Sequence, residues 1–376
     1  MRQHSAAPRL AGLEVLRFIA ALAVLVWHYQ HFMYTGAQRA GYDIARSPFY
    51  DLLAPFYVRG YVGVQLFWCL SGFIFAWKYQ AAIATRRVGG WSFAVRRFSR
   101  LYPLHFVTLL YVAALQPCYA ALHGGADFVY AFNNLRYFIL NLFFANYWGF
   151  QSGYSFNGPT WSISLEILVY IVFFVLCRFT KRSWQRDLSL AMGAAVVSML
   201  AWPLFHSKLQ IAQAITFFYF GVMAARMHAV LLALSPARRR AWGMMAWLAI
   251  VVALGLIASG VLRVLGEFVV FPVMTLLFAL WEVPAGWMRR GAVFLGNMTY
   301  SSYLMHFPMQ LTAMLIFAHF AIDPATLFFH RAFFLAYLGA VLIVAALVYR
   351  WFEVPAQAWL RARLDGRASV NAVKSA

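Results

Sequence analysis

The sequence predicts an all-α polytopic membrane protein of about ten transmembrane helices, with one re-entrant or interfacial segment. Of its 376 residues, 64% are hydrophobic and only 11% are charged, and the mean hydropathy is +0.69. A soluble domain carries about a quarter charged residues. Apolar stretches of about 20 residues, the length that crosses a bilayer as an α-helix, also recur along the chain. We therefore expect a single membrane domain over residues 1–376, with a short basic cytoplasmic tail at about 352–376.

Ten apolar stretches are candidate spans, and the distribution of the basic residues decides whether one further, shorter stretch also crosses. The stretches lie near 11–33, 61–79, 101–117, 161–179, 188–205, 209–227, 241–260, 264–282, 293–319 and 330–350. A shorter stretch at 137–149 is doubtful. If it does not cross, every basic cluster falls on the same side as Arg2 and Arg9, which the positive-inside rule makes the cytoplasmic side. We therefore predict ten spans, cytoplasmic termini, and 117–160 as a re-entrant or surface-lying excursion on the outer face.

The charge and the cysteines exclude several classes of function. The net charge is +20, but too little chain lies outside the apolar stretches to form a nucleic-acid-binding domain. Basic residues between spans are topology signals and contacts to lipid headgroups. The three cysteines, Cys69, Cys118 and Cys177, match no metal-binding spacing, so we expect no metal site. No Walker A, GxGxxG, HExxH or GxSxG pattern occurs.

The first span, LEVLRFIAALAVLVWHYQHFMY, carries ionisable residues inside an apolar helix. Arg17 and His28 are eleven residues apart, which places them on one helix face and about 16 Å apart along the axis. Glu14, one turn before Arg17, can pair with its guanidinium group. Ionisable residues in such helices usually face the bundle interior and are functional. His28 is suited to act as a general base on a hydroxyl group, and a core histidine bonded across helices is the structural alternative.

A carboxylate lies early in the span that begins at Trp161, in the segment GPTWSISLEILVY. Pro159 and Thr160 are typical of a helix start. Ser162 and Glu166 are one turn apart, and we expect Glu166 to face a histidine or an arginine from another helix. A purely structural pair between helices is the alternative.

Three arginines, Arg96, Arg97 and Arg100, precede the third span in the segment RRFSRLYPLHF. Arg97 and Arg100 lie on one helix face, and guanidinium groups bind phosphate in a bidentate manner. They could bind a phosphorylated cofactor at the membrane surface, although a basic loop that sets the topology explains them equally well. Pro103 indicates either a kink or the beginning of the helix.

The ninth span contains Ser302, Tyr303 and His306 in the segment LGNMTYSSYLMHFPMQ. Tyr303 or His306 could line the same cavity as the other polar residues. Small and polar residues are also ordinary packing contacts between membrane helices. Gly72, in LSGFIF, permits close approach of a neighbouring helix, and Glu353 lies at a span end and is assigned no chemistry.

The outer excursion, DFVYAFNNLRYFILNLFFANYWGFQSGYSFNGPT, is rich in asparagine, tyrosine, phenylalanine and glycine. Aromatic and amide side chains hold sugar rings by stacking and hydrogen bonding, which makes carbohydrate binding a hypothesis for this segment. Aromatic residues at the membrane interface are the commoner explanation.

Taken in order, these segments resemble the membrane-bound acyltransferase 3 family. The family patterns are LDGLRAIAALxVxxxH, FFxLSGF, RRFxRIYP, WSLSVExxFY, SYxxYLxHxP and a closing ExP. The corresponding segments here are LEVLRFIAALAVLVWH, VGVQLFWCLSGFIF, RRFSRLYPLHF, WSISLEILVYIVF, YSSYLMHFPM and FEVPAQAWLR. Glu14 stands where the family has aspartate. The resemblance covers nearly the whole chain.

The resemblance implies an O-acyltransferase in the bacterial inner membrane. The donor would be acyl-CoA, most often acetyl-CoA, which enters from the cytoplasm and is not a tightly bound cofactor. The acceptor would be a hydroxyl group of a lipid-linked or exported polysaccharide. His28 would be the general base, Arg17 would hold the thioester or stabilise the oxyanion, and Glu166 would orient a histidine or bind the sugar. Direct transfer and a two-step relay through an acylated protein residue are both open. The Arg96, Arg97 and Arg100 side chains would bind the donor phosphates, and Trp161, Ser162, Tyr303 and His306 would bind substrate.

A transporter or proton-coupled flippase is the main alternative, because arginine, histidine and glutamate in membrane helices also form proton relays. Against that alternative, the two halves of the sequence show no inverted repeat, and few of the predicted helices are broken by glycine and proline.

Overall fold

A computed structural model of the chain describes residues 10–374 apart from 36–37, 40–42, 206–209 and 259–262. Apart from one hairpin of two-residue strands, β1 (Tyr34–Thr35) and β2 (Gln38–Arg39), the regular structure of these residues is helical. The α-helices are α1 Ala11–His28, α2 Tyr50–Arg59, α3 Gly63–Phe75, α4 Ala81–Ala84, α5 Gly90–Leu122, α6 Leu135–Leu142, α7 Trp161–Phe179, α8 Trp184–Phe205, α9 Gln210–Leu232, α10 Pro236–Ala258, α11 Arg263–Leu280, α12 Trp287–Asn297, α13 Thr299–His319, α14 Pro324–Phe328, α15 Arg331–Val348 and α16 Val354–Lys374.

Six helical stretches among the described residues are long and apolar enough to cross a membrane. They are Ala11–Met33, Tyr50–Ala84, Gly90–Leu122, Gly158–Phe179, Gln210–Leu232 and Arg331–Leu364. The multi-pass helical membrane fold is therefore confirmed.

The other four predicted spans coincide with α8, α10, α11 and the pair α12–α13. None of these helices is among the six stretches, so the number ten stays a prediction. The predicted span 293–319 is divided, because α12 ends at Asn297 and α13 begins at Thr299. Residue 209, residues 259–260 and the N-terminal Arg2 and Arg9 lie outside the described residues.

The doubtful stretch 137–149 contains only the eight-residue helix α6. A helix of about 20 residues is needed to cross the hydrocarbon core, so α6 is too short to cross as an α-helix. The segment that follows it, up to the turn Gly158–Thr160, has no regular helix. A re-entrant or surface-lying course of this excursion stays a prediction.

Two further expectations concern individual elements. Pro103 lies inside α5, which begins at Gly90, so it does not mark the beginning of a helix as one of the two interpretations held. The basic C-terminal segment is helix α16, which packs against α5. A five-residue π-helical segment, Tyr349–Glu353, joins α15 to α16.

The described residues form two compact units. The first, unit 1, draws on the ranges Met1–Ala20, Gly63–Val88 and Leu168–Asn297. The second, unit 2, draws on Ala21–Val62, Gly89–Ile167 and Met298–Ala376. Because both units are assembled from three separate parts of the chain, neither is a consecutive domain of the sequence.

In unit 1 the close packing of α3 and α9 depends on glycine. A Cβ atom at Gly72 would lie 1.8 Å from the backbone oxygen of Phe218, and one at Gly221 would lie 1.9 Å from that of Cys69. Backbones approach this closely only where side chains are absent, as in many membrane helix pairs. The expectation that Gly72 permits close helix approach is confirmed.

In unit 2 a hydrophobic core surrounds the C-terminal end of α1. Helix α13 packs against both α5 and α15. Buried side chains of the core include Leu25, Tyr29, Val112, Phe307 and Val341. Tyr29 donates a hydrogen bond to the backbone oxygen of Phe328 over 2.8 Å. This packing holds the end of α1 against α13, where the polar residues of the candidate site lie.

Candidate functional site

His28 is the last residue of α1, and only 6% of it is exposed. Its Nδ1 atom lies 2.9 Å from the backbone oxygen of Val24, one turn earlier. A carbonyl oxygen only accepts hydrogen bonds, so Nδ1 carries the proton of the neutral ring and Nε2 keeps its lone pair. The backbone of α1 therefore holds His28 in the tautomer that a base acting through Nε2 requires.

His31 lies one turn further on, in the 3-10 helical segment Tyr29–Met33. Its Nδ1 atom is 3.0 Å from Oε1 of Gln310, and Nε2 of Gln310 donates to the backbone oxygen of His28 over 2.8 Å. Because the amide nitrogen must donate to that carbonyl, the amide oxygen faces His31 and accepts from its Nδ1. The fully buried Gln310 therefore orients His31 as the backbone orients His28.

His306, on α13, completes a group of three buried rings. Its ring centroid lies 4.8 Å from that of His28, which lies 4.8 Å from that of His31. Within the described residues, neither ring nitrogen of His306 has a partner at full hydrogen-bond geometry, although the backbone groups of Ser302 and Tyr303 in the preceding turn lie close to the ring. Buried polar atoms without partners are rare and call for an explanation. We call His28, His31 and His306 the histidine cluster.

Helices α7 and α13 meet beside this cluster at Tyr303. The Tyr303 hydroxyl lies 2.7 Å from Oγ of Ser162 and donates to the backbone oxygen of Pro159 over 2.7 Å. The Glu166 carboxylate, one turn after Ser162, acts electrostatically on this phenol. The ring centroids of Tyr303 and His306 are 5.8 Å apart. One group from another helix near Glu166 is thus the phenol of Tyr303, and the expected histidine or arginine partner stays a prediction.

Four aromatic side chains next to the histidine cluster form what we call the aromatic wall: Tyr130, Tyr147, Tyr154 and Trp161. Tyr147 and Tyr154 are stacked, with ring centroids 5.3 Å apart and an interplanar angle of 12°. Trp161 lies 5.3 Å from Tyr147 and 6.1 Å from Tyr154. Tyr130 lies 5.9 Å from Tyr154 and 5.8 Å from His31. The wall therefore links the outer excursion to the histidine cluster.

Buried amides support the same excursion. The Asn141 amide donates to the backbone oxygen of Tyr137 and to Ser155, each over 2.9 Å. Asn157 donates to the backbone oxygen of Leu304 over 2.9 Å, and Asn146 donates weakly to Thr160. The Oδ1 atoms of Asn146 and Asn157 are buried and have no hydrogen-bond partner in the described part of the chain. Two amide oxygens are thus left to accept from a hydroxyl group of a ligand.

Arg17 belongs to unit 1, where its guanidinium lies 2.7 Å from the Glu14 carboxylate. The ion pair expected from their spacing is confirmed. A Cβ atom at Gly296 would lie 2.2 Å from the same carboxylate, so α12 packs closely on this pair. Since α1 is helical from Ala11 to His28, Arg17 and His28 lie on one helix, as their spacing predicts.

The three arginines at the start of α5 belong to unit 2. Arg96 is exposed and donates to Ser92 over 3.3 Å, whereas Arg97 and Arg100 are half-buried. Helix α16 brings Arg361 to the same place, where it donates to Ser99 over 3.1 Å. The arginines therefore form one basic surface at the junction of α5 and α16.

Within the described residues, no group of three histidine, cysteine, aspartate or glutamate side chains is arranged to hold a metal ion. The candidate site combines the histidine cluster with the aromatic wall beside it.

The fold and the site together define a class of protein. It is a multi-pass membrane protein with a buried histidine cluster, a hydrogen-bonded tyrosine hydroxyl and a group of arginines at the start of a helix. The chain belongs to the acyltransferase 3 family: a family model described as an acyltransferase domain matches residues 10–350. It is 29% identical over 196 residues to the acyltransferase MdmB of Streptomyces mycarofaciens. That match covers 50% of this chain and 45% of the relative. No solved structure matches the chain.

Several residues of the site were not found from the sequence. His31 follows His28 by one helical turn and Gln310 follows His306 by one turn, so the spacing alone could have indicated both. Glu353, to which no chemistry was assigned, is buried and accepts hydrogen bonds from Ser301 over 2.6 Å and from Gln357 over 3.0 Å. Gln357 follows Glu353 by four residues on continuous helical backbone, so their spacing could have indicated this pair, whereas Ser301 lies on α13 and no local sequence pattern predicts it.

Proposed function

We propose that the protein is a membrane O-acyltransferase that moves an acyl group, acetyl in the simplest case, from cytoplasmic acyl-CoA to a hydroxyl group of a carbohydrate. The acceptor would be a lipid-linked or exported polysaccharide, and the protein would lie in the bacterial inner membrane with both termini in the cytoplasm. The observation that supports this most directly is the buried His28, whose Nδ1 is bonded to Val24 and whose Nε2 is left to act as a base. Membership of an acyltransferase family favours this function over a transporter or flippase.

The proposed transfer uses the lone pair of His28. Nε2 takes the proton of the acceptor hydroxyl as its oxygen bonds to the acyl carbon, and the carbon–sulfur bond then breaks. The proton taken from the acceptor ends on the thiolate, which leaves as free coenzyme A, and His28 is neutral again. His306, whose ring nitrogens lack partners among the described residues, would bind substrate at this point. Glu166 would act through Tyr303, and Ser162 and Trp161 would contact the acceptor.

Arg17 would act on the donor at a distance from the base. The two residues are separated by about 16 Å along α1, which is more than an arginine side chain reaches. Of the roles considered, holding the donor fits this separation better than stabilising the oxyanion beside His28. The Glu14 carboxylate would keep the guanidinium in position for this role.

The donor phosphates are assigned to the basic surface of α5 and α16. We expect Arg97→Gln and Arg100→Gln each to raise the KM for acetyl-CoA about 10-fold or more, since a hydrogen bond to a charged group contributes about 1.5–3 kcal/mol. Initial rates at varied acetyl-CoA measure this effect. Arg331→Gln, which removes a guanidinium packed over Phe49, is the matched control and should leave that KM unchanged. Equal KM values for all these variants would refute the assignment.

The acceptor is assigned to the aromatic wall, with the free amide oxygens of Asn146 and Asn157 accepting from sugar hydroxyls. Removing one stacked ring by Tyr154→Ala should raise the KM for the saccharide about 3- to 10-fold, because aromatic contacts contribute about 0.5–1.5 kcal/mol. The KM for acetyl-CoA should not change. Tyr111→Ala, which removes a 43% exposed ring from α5, serves as the control. An unchanged saccharide KM in Tyr154→Ala would place the acceptor elsewhere.

The function as a whole is tested with purified protein in nanodiscs, radiolabelled acetyl-CoA and a pool of lipid-linked bacterial saccharides. Label that moves to the saccharide supports the acyltransferase. Absence of transfer, of hydrolysis and of CoA binding with every acyl-CoA supports the transporter or flippase alternative.

A further inference from the structure

Gln310 connects two members of the histidine cluster through hydrogen bonds that the transfer described above does not use. It accepts from Nδ1 of His31 over 3.0 Å and donates to the backbone oxygen of His28 over 2.8 Å. That carbonyl lies at the junction between α1 and the 3-10 helical segment Tyr29–Met33. Gln310 is fully buried and thus connects α13 both to the end of α1 and to the second histidine.

His31 is therefore a second imidazole beside that of His28, and its Nε2 atom is free within the described residues. His31 is only 3% exposed, and in the described part of the chain its hydrogen bond is the one to Gln310. The ring centroids of His28 and His31 are 4.8 Å apart, so the two imidazoles are direct neighbours, and proton transfer between such neighbours runs directly or through one water molecule.

We propose that Gln310 is a positioning residue that holds His31 with Nε2 unprotonated, and that His31 takes over the acceptor's proton from His28. This inference rests on the proposed acyl transfer. The acceptor proton moves first to Nε2 of His28, then to Nε2 of His31, and finally to the thiolate released when the carbon–sulfur bond breaks. Both histidines end neutral, so the step consumes no further reactant.

Four polar or titratable side chains face His31 from the elements packed around it. They are His28, His306, Tyr34 and Tyr130, with ring centroids of the two tyrosines 5.7 and 5.8 Å from that of His31. The rings of Phe128 and Phe307 cover its other sides. A carboxylate introduced at position 310 would therefore be a new charge directly on His31.

The positioning role is tested without any acyl transfer. Solid-state NMR of the full-length protein in lipid vesicles, labelled with 15N-histidine, reports the tautomer of each ring, and His31→Gln identifies the His31 signals. We expect His31 to carry its proton on Nδ1 in the wild type and to become a mixture of tautomers in Gln310→Met. Gln116→Met is the matched control, because Gln116 is equally buried and bonds both backbone groups of Phe128 instead of a histidine.

The proton transfer is tested by kinetics. We expect His31→Gln and Gln310→Met to lower kcat about 10- to 100-fold with little change in the KM for acetyl-CoA. Gln310→Glu keeps an oxygen facing His31 but adds a charge, which should move the acidic limb of the pH–rate profile upward by about one unit or more. Gln116→Met should change neither kcat nor the profile.

The possible results test the positioning role, the proton transfer and the proposed function separately. Folded Gln310→Met protein with a wild-type His31 signal overturns the positioning role. Wild-type kcat in His31→Gln, or an unshifted profile in Gln310→Glu, overturns the proton transfer. A wild-type protein that shows the Nδ1 tautomer but transfers no acyl group from any acyl-CoA overturns the proposed function, while the tautomer result still supports Gln310 as the positioning residue.

Discussion

Replacing His28 with glutamine is expected to lower kcat for acyl transfer about 10²- to 10⁴-fold, the usual contribution of a general base. His28→Gln keeps a polar side chain of similar size at the end of α1, so the loss would reflect the missing lone pair of Nε2. The KM for acetyl-CoA should change little, because the donor is assigned to Arg17 and the arginines of α5. Initial rates of transfer to a saccharide acceptor, measured on folded protein in nanodiscs, give both constants.

His123 is the control that the chain offers for this substitution. Its Nδ1 lies 2.9 Å from the backbone oxygen of Tyr119, four residues earlier, which is the hydrogen bond that His28 makes with Val24. Its ring stacks on Tyr119, whereas the ring of His28 contacts two other histidines. His123→Gln should therefore keep wild-type kcat. Transfer that survives in His28→Gln would retain the enzyme but remove His28 as its base.

The sequence was most informative where a property depends on spacing along one helix. Eleven residues between Arg17 and His28, and three between Glu14 and Arg17, sufficed to predict one helix and one ion pair. The number of spans was harder to predict. Helices α8, α10, α11 and α13 coincide with predicted spans but are not among the six stretches that combine the length and the hydropathy of a span. Length and composition alone are therefore a weak guide to whether these helices cross.

The site was less predictable because its geometry depends on pairs that are distant in sequence. Gln310 and His31 are 279 residues apart, and Tyr303 and Ser162 are 141 residues apart. Helical periodicity indicates which residues share a face but not which helices meet. The aromatic wall illustrates the same difficulty. Its tyrosines can be found in the sequence, but they stack in an irregular segment, where no helical or strand periodicity indicates which side chains meet.

Asp187 in unit 1 provides the largest expected effect on stability. Its carboxylate is fully buried and lies between two arginines, Arg186 at 2.5 Å and Arg226, and it also accepts from Gln80 over 3.3 Å. Removing one partner from a buried ion pair costs about 3–5 kcal/mol, because the remaining charges lose their compensation. The arginine side chains stay 17% and 19% exposed, so we expect Asp187→Asn to cost about 3 kcal/mol, the lower end of that range. Thermal unfolding in nanodiscs, followed by size-exclusion chromatography, measures the loss.

The ion pairs of Asp187 with Arg186 and Arg226 also distinguish two explanations of the basic residues in this protein. If Arg226 served only as a topology signal, Arg226→Met would have no effect on stability, and combining it with Asp187→Asn would leave the loss unchanged. If the ion pair stabilises the junction of α8 and α9, the double variant should be more stable than Asp187→Asn alone, because one uncompensated charge is removed. Asp323→Asn, at the exposed cap that accepts from Ala325, should cost no more than about 1 kcal/mol and is the control for losing a carboxylate. Equal stability of Asp187→Asn and the wild type would show that the buried carboxylate contributes nothing to the fold, and Arg226 would then be explained by topology alone.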